Sequence, residues 1–79
     1  MPSRTVELLS RAGCHLCDDA RRLVERVTAE AGLGWTETDV DADPVLRAEF
    51  GDLVPVVRVD GKELGYWRID EARLRRALG

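Results

Sequence analysis

The sequence predicts an α/β domain in which a four-stranded mixed sheet carries helices on both faces, the elements running strand, helix, strand, helix, hairpin, helix. Three observations lead there. A short apolar run precedes one long amphipathic stretch, an Asp-Gly pair separates two β-rich runs, and two later helices each open on an aspartate cap. The 79 residues form a single domain, residues 1–79, with no repeat and no linker.

Thr5, Val6, Glu7, Leu8 and Leu9 suit an interior strand, and Ala12-Gly13 breaks the extended run. Leu16, Ala20, Leu23, Val24, Val27 and Ala31 then recur at the spacing of one helical face, with charged residues opposite and Gly32 and Gly34 as the stop. Trp35 to Val40 is rich in β-branched and aromatic residues and reads as the second strand. Asp43-Pro44 supplies a cap and a proline for the first position of a helix over residues 44–50, with Val45, Leu46 and Phe50 as apolar anchors and Gly51 past its end. Residues 55–59 and 62–65 flank Asp60-Gly61 as a hairpin. A last helix starts at the Asp70 cap, with Ile69 stapled to Leu74 and Leu78 one turn further on. A right-handed strand-helix-strand crossover makes the first two strands parallel, and the hairpin adds an antiparallel pair.

Hydrophobic residues at 44% and charged residues at 34% are those of an ordinary globular protein. A net charge of -3 with interleaved signs offers no basic stripe, so no nucleic-acid partner is expected. The apolar run after Met1 is too short for a secretion signal or a membrane span, so no membrane partner is expected and the cytoplasm is the expected compartment.

Both cysteines lie in Cys14-His15-Leu16-Cys17, where a strand gives way to a helix. Two thiols at that spacing in a reducing compartment read as a redox pair. A helix N-terminus stabilises the attacking thiolate with its unpaired N–H groups, which places Cys14 as the nucleophile. His15 and Arg11 push the same way, and Asp18 and Asp19 oppose them. Cys17 lies one turn deeper on the same face, within the ~4.4–6.8 Å that a disulfide spans, and is the resolving thiol. The competing readings are a buried free pair and half of a zinc site, though a structural zinc wants about four ligands and His15 is the one other soft candidate. His15 is otherwise an exposed spectator, and Pro55 an ordinary strand-start proline. Of the adjacent aromatics Tyr66 and Trp67, the ordinary outcome is one ring in the core and one outside.

These residues resemble the short glutaredoxin-like proteins of the thioredoxin superfamily. The likeness rests on residues 13–18 (Gly-Cys-His-Leu-Cys-Asp), 41–44 (Asp-Ala-Asp-Pro) and 54–56 (Val-Pro-Val) and on Asp60-Gly61, four motifs in order across nearly the whole chain. The resemblance implies the thioredoxin fold in its minimal β-α-β-α-β-β-α form and a thiol–disulfide oxidoreductase. It further implies a cis Val54-Pro55 bond facing the cysteines, with the Val54 backbone free to pair with an extended substrate. Arg11 takes the place of a lysine that helps hold glutathione. The family's Gly-Gly-x-Asp segment is not kept, because Tyr66 and Trp67 follow Gly65 and Asp70 comes late. A large ring where glycine permits close approach predicts weak use of glutathione and a preference for a protein thiol or peptide-like disulfide, with Tyr66 or Trp67 lining the groove. The expected partners are a protein or small-molecule disulfide and an electron donor, either glutathione or a reductase, for a monomer with no bound cofactor or metal. A different class keeps the same fold: a binding module, or a scaffold that bridges an iron–sulfur cluster between two chains and is coloured and dimeric as isolated.

Overall fold

The computed structural model describes residues 4–79. Met1, Pro2 and Ser3, where the reading of a stretch too short for a secretion signal begins, lie outside the described residues. The elements are β1 (Val6–Ser10), α1 (His15–Ala31), β2 (Thr36–Asp39), a 3-10 turn (Val40–Ala42), α2 (Pro44–Phe50), β3 (Val56–Val59), β4 (Lys62–Tyr66) and α3 (Glu71–Leu78). The sheet order is β2-β1-β3-β4, with β1 parallel to β2 and antiparallel to β3, and β3 antiparallel to β4. No helix among the described residues is long and apolar enough to cross a membrane.

Alternation along the central strands sorts the core into two layers. Val6 and Leu8 of β1 with Val57 and Val59 of β3 pack under Ala20, Val24 and Val27 of α1 and Leu74 of α3. Leu9 and Val56 point to the opposite face and meet Val40, Phe50 and Leu46. The seven-residue α2 is too short to cover that face fully. Its uncovered part carries Glu7, which accepts from Arg58 Nε at 2.9 Å and from the Thr38 hydroxyl at 3.1 Å, while the Arg58 guanidinium lies 5.6 Å from the Phe50 ring centre. A half-covered sheet face thus keeps its polar groups paired.

The caps form where the sequence puts them. Asp43 Oδ1 accepts from the Val45 N–H at 2.9 Å with Pro44 at the first helical position, and Asp70 Oδ1 accepts from the Ala72 N–H at 2.9 Å. Gly32 ends α1 in the left-handed region at φ 71°. The hairpin turns on Asp60 and Gly61, at φ 54° and 82°, the two positive angles such a two-residue turn requires.

Three details differ from the periodicity. Val45 is 69% exposed, because only Leu46 and Phe50, four residues apart, share the face of α2 that meets the sheet. Leu16 and Ala31 are exposed at the two ends of α1, where the buried face instead takes Cys17 and Thr28. The Thr28 hydroxyl is satisfied by the Val24 carbonyl at 2.7 Å. The second strand is a four-residue sheet edge, and Val40 leaves it for the 3-10 turn, the buried residue of that segment.

Candidate active site

The cysteines sit at the end of the sheet where β1 stops. Cys14 is the cap residue of α1, in extended backbone, and its sulfur does what a serine or aspartate oxygen does at other helix starts: Sγ accepts the Cys17 N–H at 3.2 Å. Cys14 is half-buried and Cys17 fully buried, and both are free thiols.

Burial pushes the Cys17 thiol up to about 12, helped by its hydrogen bond to Cys14 and by charge on that sulfur; the Arg11 backbone and the Arg21 guanidinium pull the other way. Arg21 is held in place by Glu37, which accepts from its Nε at 2.7 Å and from the Ser10 hydroxyl at 2.6 Å. The Arg21 hydrogen bonds also hold the Glu37 carboxyl below the usual range. A stability prediction follows from Cys17. An unfolded chain releases this proton near 9.0 and the folded chain only at about 12, so folding stability falls as pH rises through that window. Replacing Cys17 by alanine should flatten this alkaline slope, as denaturant titrations on either side of the window would show.

The remaining sequence candidates fall into two groups around the thiols. Arg11 grips Asp41 with a fork, Nε to Oδ2 at 2.9 Å and Nη2 to Oδ1 at 2.8 Å, and its Nη1 donates to the Gly51 carbonyl at 3.2 Å. The loop after β1 is thereby tied to the 3-10 turn and the end of α2, and Asp41 is held below its usual range by the Arg11 hydrogen bonds. A substrate carboxylate reaching Arg11 would have to share it with Asp41. Val54-Pro55 is cis, with Pro55 buried. Continuing the Leu9–Val56 register sets Pro55 opposite Ser10, at the same sheet end as the cysteine loop.

The second group is aromatic. Tyr66 and Trp67 pack edge to face, ring centres 5.3 Å apart, and both are outside, 47% and 52% exposed, where one buried ring is the ordinary outcome. The Trp67 backbone explains why. Its N–H is spent on the Pro55 carbonyl at 2.9 Å, its φ is 63°, in the left-handed region, and its indole N–H donates to the Asp52 carbonyl at 3.1 Å. These bonds lay the ring over the 51–55 loop. Tyr66, Trp67 and Arg68 then line an open groove of about 420 Å³ with Leu16, from the first turn of α1. His15 is exposed in that same turn. Leu16, Arg68 and Asp41 were not singled out from the sequence as site residues. No three His, Cys, Asp or Glu side chains gather as a metal site among the described residues.

Residues 5–79 match the family model of the glutaredoxin-like domain (DUF836). The chain belongs to that family. Among similar proteins, an uncharacterized protein of Mycobacterium tuberculosis H37Rv is 47% identical, covering 89% of this chain and 77% of its own. The X-ray structure of a structural-genomics target protein from X. campestris is 37% identical with a TM-score of 0.68, covering 90% and 91% of the two chains. Mitochondrial thioredoxin 3 of Saccharomyces cerevisiae superposes with a TM-score of 0.70 over 99% of this chain and 78% of its own at 15% identity, a likeness of fold. This glutaredoxin-like domain therefore has the thioredoxin fold that its element order and motifs led one to expect, with the Cys14 and Cys17 pair at the start of α1.

Proposed function

We propose that this glutaredoxin-like domain is a thiol–disulfide oxidoreductase in which Cys14 attacks and Cys17 resolves. One observation supports it above the others: a half-buried sulfur at a helix N-terminus accepts an N–H, and the second sulfur, fully buried, lies one turn behind it as a protonated thiol. The Cys14 thiolate attacks one sulfur of a substrate disulfide, forms a mixed disulfide and expels the other sulfur, which takes up a proton. Cys14 is then uncharged and a weaker hydrogen-bond partner for Cys17. The charge that helps keep Cys17 protonated is gone and the hydrogen bond to Cys14 is weakened, so the first step promotes release of its proton. The Cys17 thiolate attacks Cys14 Sγ, the second substrate thiol leaves, and a Cys14–Cys17 disulfide remains. Two electrons have passed to the substrate, and an external thiol or dithiol reductant, glutathione or a reductase, returns them.

The test is stoichiometric. The reduced protein mixed with excess small disulfide should lose the mass of two hydrogens within the tryptic peptide that carries Cys14 and Cys17, while two substrate thiols appear per chain oxidised. A protein that keeps both free thiols under these conditions is not an oxidoreductase of this kind.

A further inference from the structure

Among the described residues, three of the four exposed large hydrophobic side chains, Leu16, Tyr66 and Trp67, fall in one groove beside the cysteine turn; the fourth, Val45, is on α2. Arg68 connects this groove to two smaller ones, between Leu16, Leu23 and Ile69 on one side and along Gly65, Tyr66 and Arg73 on the other. The charges along it are unevenly used. Asp19 is paired with Arg22 at 3.1 Å, and Asp70 caps α3. Arg68 and Arg73 make no ion pair among the described residues, nor do Arg47 and Arg76, which do not line these grooves, whereas the other seven arginines do. In a chain of net charge -3 the groove is a locally positive, apolar strip.

We propose that this strip selects the substrate: an extended segment of a partner protein whose disulfide cysteine is flanked by a bulky apolar side chain, seated between Leu16 and the Tyr66–Trp67 pair, and by an acidic residue that reaches Arg68 or Arg73. It rests on the oxidoreductase reading for the chemistry and on the groove for the choice of partner. Glutathione has carboxylates but no apolar side chain to fill the aromatic wall, and the Trp67 N–H that a short peptide would seek at the strand end is already spent on Pro55. A protein segment supplies both halves, the apolar contact giving affinity and the charge giving orientation and on-rate.

Two disulfide peptides of equal length test it, one with phenylalanine and glutamate around the cysteine, the other with serine and lysine. The first should be reduced with a kcat/KM about tenfold or more higher, a difference of ~1.4 kcal/mol or more in transition-state binding. Its advantage should shrink with added salt, and Arg68→Glu with Arg73→Glu should cancel the charge part while leaving the phenylalanine preference. The same peptides with serine for cysteine, titrated by tryptophan fluorescence, report binding without chemistry. Charge-selective binding of the serine peptide with no reduction of either disulfide would keep the groove and remove the redox reading. Equal kcat/KM for the two peptides, or glutathione disulfide reduced as fast as the acidic one, overturns the proposal.

Discussion

Cys14→Ser should lower disulfide reduction by on the order of a thousandfold or more, to background, because the nucleophile itself is gone. The fold should survive, since a serine hydroxyl is a better acceptor for the Cys17 N–H than sulfur and α1 keeps its cap. Cys17→Ser should behave differently. Cys14 still attacks, but nothing within reach resolves the intermediate, so a mixed disulfide with substrate accumulates and is visible as an added mass. A hydroxyl in this fully buried site is at risk of losing its partner, at ~1–3 kcal/mol, so Cys17→Ala serves as the second trapping variant. Mass spectrometry of the two cysteine variants after exposure to a peptide disulfide settles the roles: trapping by the Cys14→Ser protein would reverse them.

Features that chemistry fixes over a few neighbouring residues were legible in the sequence. Asp43-Pro44, Asp70, Gly32 and Asp60-Gly61 each satisfy or turn the backbone locally, and all four do so where the pattern put them. The cysteine pair was legible for the same reason, its spacing being a helical turn. What escaped was decided across the chain. The Arg11–Asp41 fork joins residues 30 apart, and the Arg21–Glu37 pair 16 apart; neither has a local signature. Leu16 has the spacing of a buried position, yet a helical side chain covers the turn before its own Cα, and at the first turn of α1 there is only open groove to cover. The two outward rings follow from a left-handed residue at Trp67, where sequence statistics favour glycine or asparagine over an aromatic.

Leu74→Ala should cost about 2–5 kcal/mol, a large share of the ~5–15 kcal/mol that holds a small domain together. The eight-residue α3 buries this one residue fully, at 0% exposure, against Val24, Val27 and the β1 and β3 valines, while Ile69, Ala77 and Leu78 are only partly covered. The ion pairs that join α3 to α1, Glu71 with Arg26 and Arg75 with Glu30, are solvent-exposed and offset little of the loss. For a domain this size each kcal/mol lowers Tm by roughly 4–8 °C, so thermal melts should separate the variant from the parent by at least about 8 °C. Leu74→Met, near in volume, should cost less than ~1.5 kcal/mol. Loosening should reach the Arg68–Ile69 side of the groove before the cysteines, since Ile69 packs into the same cluster and α1 keeps its hold on the sheet through Ala20 and Val24. Amide exchange should therefore rise first over residues 68–78 while Cys17 stays protected from alkylation. A Leu74→Ala protein that melts within a few degrees of the parent, or that exposes Cys17 as early as α3, would place the anchor of this helix elsewhere.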